Sequence, residues 1–196
     1  HVMDELTEFA FADNHTSWSI EAYHRKKYEQ LYAQHDINDL DTVHTPLTMK
    51  TDDGLYLSLH EASLVDFSSY NLYSNKENTL KTDLTPWKDG IKVKSDGSFK
   101  SSWRTIQIGE KAGDLIESYL ILNLNEPNKL GDVSWVKPMK YIGIWWGIHI
   151  KKWTFHQSPK LGATTENTIE YIDFAAKHGF DEVLVEGWNE GFEPGW

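Results

Sequence analysis

The sequence predicts a β-sandwich followed by one parallel βαβ unit. Short alternating segments with turn signals about every ten residues run through residue 125. A cluster of Asn, Pro and Gly follows at 123–131. Beyond it come a continuous apolar run, an amphipathic helix and a second apolar run.

The β elements are read in order. Residues 6–12 alternate, and Asp13, Asn14 and His15 turn the chain into a strand over 18–22. Residues 23–41 are charged, lack strong turn signals, and admit a short helix. Thr51, Asp52, Asp53 and Gly54 form a turn before residues 55–60, which alternate at period two. The Asp52-Asp53-Gly54 run has no continuation into a calcium loop, so a turn is the better reading. Strands are also predicted at 67–73, 91–94, 99–108 and 115–122. The predicted organisation is a sandwich portion over 1–125, a linker over 126–138, and a parallel α/β unit over 139–196.

The second part has a different grammar. Residues 141–147 are apolar without a break, as in a strand covered on both faces. Thr164 or Thr165 is placed to cap a helix with Glu166 in its first turn. Ile169, Ile172, Ala175 and Ala176 supply the apolar stripe, and Gly179 is placed to stop the helix. A strand then covers 183–185. Two parallel strands cannot cover both their faces, so this unit is expected to belong to a larger sheet or barrel. Both ends of the chain read as cut from a longer protein.

Composition narrows the function. A net charge of −11 supplies no basic stripe for phosphates, so a nucleic-acid partner is excluded. No segment reaches the roughly 18 apolar residues of a membrane span. The chain has no cysteine, hence no disulfide and no thiolate metal site. Six of the nine Trp lie after residue 130, and an indole offers a flat apolar face with one donor, which suits a pyranose ring.

Candidate site residues sit where the predicted strands end. Glu186 leaves its strand just before Gly187, Trp188 and Asn189. There its carboxylate either accepts hydrogen bonds from sugar hydroxyls, takes part in acid–base chemistry, or serves as a cap or ion-pair partner. Trp145 and Trp146 end the preceding strand. Alternation sends one toward a cleft and the other toward the helix layer. His60 and Glu61 end the strand over 55–60, a polar pair that packing does not require.

The segments 45–48 (TPLT), 52–64 (DDGLYLSLHEASL), 103–108 (WRTIQI), 114–118 (DLIES), 122–127 (LNLNEP), 141–147 (YIGIWWG), 162–168 (GATTENT) and 185–191 (VEGWNEG) together resemble glycoside hydrolase family 97. The resemblance runs from about residue 40 to the end, with its motifs in order. It implies α-glucosidase or α-galactosidase activity on an oligosaccharide or α-glycoside. It also implies an N-terminal β-sandwich and a (β/α)8 TIM barrel, of which this chain would hold the first two β/α units. The family site holds Ca²⁺, and Glu61 best matches the one ligand contributed by the N-terminal domain. Trp145, Trp146, Glu186, Trp188 and Asn189 match sugar-contacting positions. The catalytic acid and the base or nucleophile would lie on later barrel strands, so no residue of this chain is expected to be catalytic. The parent protein would be periplasmic or secreted. A rival reading, a non-catalytic carbohydrate-binding β-sandwich with a degenerate extension, leaves the two parallel strands unexplained.

Overall fold

The computed structural model describes residues 1–23 and 28–187. The chain divides into two compact units, His1–Asn128 and Lys129–Trp196.

The first unit is built on two antiparallel sheets. The larger contains β2 (Thr16–Ser19), β3 (Ala33–Asp36), β4 (Leu47–Lys50), β5 (Tyr56–Ala62) and β8 (Trp103–Gly109), in the order β3-β2-β4-β5-β8. The smaller contains β1 (Glu8–Ala10), β6 (Tyr70–Ser74) and β7 (Thr79–Leu84), in the order β1-β7-β6. Leu47, Met49, Leu57 and Leu59 of the larger sheet share one core cluster with Phe9, Leu72, Leu80 and Leu84 of the smaller. Apolar side chains from two sheets in one core make a sandwich, and their burial is its main favourable term.

Alternation explains β5. Leu57, Leu59 and Glu61 share one buried face; on the other face Ser58 is buried as well and His60 is half-buried. Across the ladder Leu57 pairs with Ile108, Leu59 with Ile106 and Glu61 with Arg104. The preceding turn is the one expected: Gly54 has φ +97°, and the Thr51 hydroxyl accepts from the Leu55 amide at 2.9 Å.

Several elements differ from the sequence reading. Residues 115–122 are not a strand. They fall in two short helices, α1 (Ala112–Glu117) and α2 (Leu120–Asn123). The Asp114 carboxylate accepts from the Lys111 amide at 2.9 Å, which starts a helix rather than an extended segment. Residues 91–94 contribute only one bridge, between Val93 and Val2. Strands β4 and β7 were not anticipated. In the ambiguous stretch 23–41, strand β3 is followed by a 3-10 turn over Ile37–Asp39, while residues 24–27 lie outside the described residues.

In the second unit, β9 (Tyr141–Gly143) and β10 (Glu182–Leu184) pair in parallel, with Ile142 opposite Val183. The crossover is α4 (Thr165–His178). Thr164 caps it by accepting from the Asn167 amide at 3.3 Å, and Gly179 ends it at φ +71°. Of the predicted stripe only Ala175 is buried, because a two-stranded sheet covers a narrow strip of helix. The apolar run 141–147 is strand for only three residues. It then turns into a short helix, α3 (Trp146–His149). Gly147 lies in this helix, and a Cβ there would lie 2.1 Å from the Trp153 indole, so the missing side chain is what admits the buried ring. Gly162 flanks the same ring on the same terms, at 2.3 Å.

Candidate functional site

In the second unit the structure brings Trp145 to the backbone beside Glu186. Gly187 adopts φ +71°, and a Cβ on it would fall 2.1 Å from the Trp145 ring. The indole therefore lies against the chain one residue after Glu186. Trp145 is half-buried, stacks on Phe155 with centroids 5.8 Å apart and meets His149 edge-on at 5.9 Å. These contacts orient the ring.

Trp146 is 69% exposed and touches His149 at 5.5 Å. The two indoles do differ in burial, but they lie at the start of α3, Trp145 as its N-cap and Trp146 as its first residue, so strand alternation is not the cause. Glu186 is exposed, two residues beyond the end of β10. An open carboxylate beside an aromatic face can accept hydrogen bonds from a sugar edge while the ring covers its C–H face. Trp188 and Asn189 lie outside the described residues.

In the first unit Glu61 is engaged elsewhere. Its side chain is 6% exposed, and Oε2 accepts from Arg104 at 2.8 Å and from the Ser102 hydroxyl at 3.1 Å. Arg104 also donates to both oxygens of Glu5, at 2.8 Å from Nε and 2.5 Å from NH2. The guanidinium lies over the buried Tyr70 ring, 4.2 Å from its centroid, and Tyr70 donates its hydroxyl proton to the His60 carbonyl at 3.0 Å. Two carboxylates, one guanidinium, a hydroxyl and an aromatic face make a closed, buried network.

Calcium requires six to eight oxygen ligands. Among the described residues no group of three His, Cys, Asp or Glu is placed to hold a metal ion. The one carboxylate expected to serve is buried with a cation already 2.8 Å away. The Glu61 carboxylate is committed to Arg104 and Ser102.

The two carboxylates of this network titrate in opposite directions. Burial lifts Glu61 above its ordinary value of 4.5, and Arg104 and Ser102 only partly offset it. Burial also pushes Glu5 upward, but hydrogen bonds from Arg104 and Thr7 outweigh it and hold Glu5 below 4.5. The folded chain thus grips the Glu61 proton more tightly than the unfolded chain does. The parent loses that contribution as pH rises from 4.5 through the raised value. Glu5 does the reverse: its contribution is present above 4.5 and is lost as pH falls through the lowered value. Glu61→Gln should gain stability relative to the parent as pH rises through the first window. Glu5→Gln should lose stability relative to the parent as pH rises through the second. Urea unfolding across the acid range reads both. Two variants moving in the same direction would refute the assignment.

Arg104, Ser102, Glu5 and Tyr70 were not anticipated as partners of Glu61. One signal was available: the strand alternation puts Arg104 in register with Ile106 and Ile108, although both isoleucines are exposed in the structure. Nothing in the sequence announced Glu5, 99 residues from Arg104.

Comparison with known proteins follows the same division. A glycosyl-hydrolase 97 N-terminal model matches residues 1–127, and a glycoside hydrolase 97 model matches residues 145–196. A glycoside hydrolase family 97 enzyme from Pseudoalteromonas sp. strain K8, solved in complex with acarbose, is 55% identical with a TM-score of 0.88. The match covers 97% of this chain and 29% of that one. A variant from the same strain in complex with panose gives 55% identity and a TM-score of 0.86, covering 96% and 29%. A retaining alpha-galactosidase of Bacteroides thetaiotaomicron is 29% identical over 142 residues, which are 69% of this chain and 21% of that protein. The chain thus spans less than a third of the length of these relatives.

Proposed function

Because the chain belongs to glycoside hydrolase family 97, we propose that it forms part of an α-glycosidase that hydrolyses terminal α-glucosidic or α-galactosidic bonds. The observation that carries this reading is the 55% identity, over nearly the whole chain, to a family 97 enzyme solved with acarbose. The alpha-galactosidase relative keeps the galactoside alternative in view. The parallel β9–α4–β10 unit is read as the start of a (β/α)8 barrel, where binding groups gather at the carboxyl ends of the strands.

Within that enzyme this chain supplies one wall of the sugar site. Trp145 offers the apolar face and Glu186 a hydrogen-bond acceptor. Neither is assigned as acid or base. Glycoside hydrolysis needs two carboxyl groups flanking the scissile bond, and the reading assigns both to residues outside these 196.

Glu186→Gln in the longer protein tests this role. It removes a charged acceptor for sugar hydroxyls, a loss of about 1.5–3 kcal/mol and so about tenfold to a hundredfold in kcat/KM. The acid and basic limbs of the pH–rate profile should stay where they are. A limb that vanishes or moves would make Glu186 a proton-transfer group instead.

A further inference from the structure

We propose that a cleft in the first unit, at the edge of the sandwich, is a binding subsite for a single neutral hexose. The inference rests on the reading of the protein as a glycosidase for the choice of ligand class, and on the cleft itself for the rest.

The cleft has a volume of about 280 Å³ and is lined by the N-terminal segment (Asp4, Glu5, Thr7), by Phe67 and Phe99, and by Ser101, Ser102 and Arg104. This volume falls just below the usual range for small-molecule sites, so the cleft has room for no more than one sugar ring.

Its chemistry has two sides. Phe67 and Phe99 stack with centroids 5.9 Å apart, and Phe99 is half exposed, so the pair keeps aromatic surface that a ligand can reach. A flat apolar face is what the C–H side of a pyranose requires. The other side is polar. The Ser101 hydroxyl can both donate and accept, and the Asp4 carboxylate accepts, while the Ser102 hydroxyl is already engaged by Glu61 and Arg104 and Thr7 by Glu5. Arg104 is held in place by Glu5, Glu61 and Ser102, so the floor of the cleft is rigid before any ligand arrives.

Charge narrows the ligand further. Asp4 and Glu5 put two carboxylates in the lining, and the guanidinium of Arg104 is already paired with Glu5 and Glu61. A sugar phosphate or uronic acid would meet net repulsion, whereas a neutral hexose would find hydroxyl partners without it.

The experiment is a ¹⁵N-resolved NMR titration of the 196-residue chain with methyl α-D-glucopyranoside, and with glucose 6-phosphate as the charged probe. Saturable shifts are expected at the Thr7, Ser101 and Ser102 amides with the neutral sugar and not with the phosphate. Phe99→Ala should weaken this binding about threefold to tenfold, and Phe99→Leu, which keeps apolar area without the flat face, should weaken it similarly. Trp145→Ala should leave these shifts unchanged. The proposal is overturned if the shifts are confined to the second unit, if the phosphate binds as well as the neutral sugar, or if both Phe99 variants bind like the parent. Hydrolysis of α-glycosides by the longer protein, with no sugar-dependent shift at these amides, would overturn the subsite alone and leave the glycosidase reading standing.

Discussion

Replacing Arg104 with methionine lowers the unfolding free energy of the first unit by about 3–5 kcal/mol, because it leaves two buried carboxylates without their cation. The side chains of Arg104, Glu61 and Glu5 are 11%, 6% and 17% exposed, too little for water to take over the lost contacts. The same change removes the guanidinium from the Tyr70 ring and takes one of two partners from the Ser102 hydroxyl. The penalty arises from the orphaned charges rather than from the volume change, since methionine fills much of the same space. Adding Glu5→Gln and Glu61→Gln to the methionine variant should therefore restore most of the loss. Urea unfolding of the three proteins at neutral pH measures this. A methionine variant as stable as the parent, or a triple variant as weak as the single one, would show that the network does not hold the sandwich edge.

Some features were open to reading from the chain alone. The ends of α4 follow from Thr164 and Gly179, residues whose side-chain oxygen and conformational freedom a helix terminus needs. Strand β5 follows from its alternation, and the Thr51–Gly54 turn from its residues. Strand β7 escaped because Thr82 replaces an apolar residue between Leu80 and Leu84. Its hydroxyl is satisfied by the Glu5 and Thr7 carbonyls, a long-range pairing that no local pattern records. Residues 115–122 misled because a short apolar run fits either a strand or a helix, and a single capping carboxylate, Asp114, decided it.

The candidate site divides in the same way. The position of Trp145 and Glu186 at the end of a parallel pair was legible from the two apolar runs and the helix between them. The approach of Trp145 to Gly187 was not, because it depends on the chain leaving β9 for α3 at Trp145 within an unbroken apolar run. Glu61 was visible as a polar residue ending a strand. Periodicity gives a residue its face and not its partner, so calcium and Arg104 were equally open from the sequence.

The largest expected effect on activity concerns the chain as a whole. Trp145 and Glu186 bind and orient in this account, and the two carboxyl groups of the chemistry are assigned outside the 196 residues. Positioning groups alone do not protonate a leaving group or activate a nucleophile. The most direct test is therefore aryl α-glucoside and aryl α-galactoside hydrolysis, measured side by side for the pure 196-residue chain and for the longer protein that contains it, with and without added calcium. Turnover is expected for the longer protein on at least one of the two substrates and for the 196-residue chain under no condition. Turnover by the short chain, or a longer protein inert toward both glycosides, would contradict that expectation.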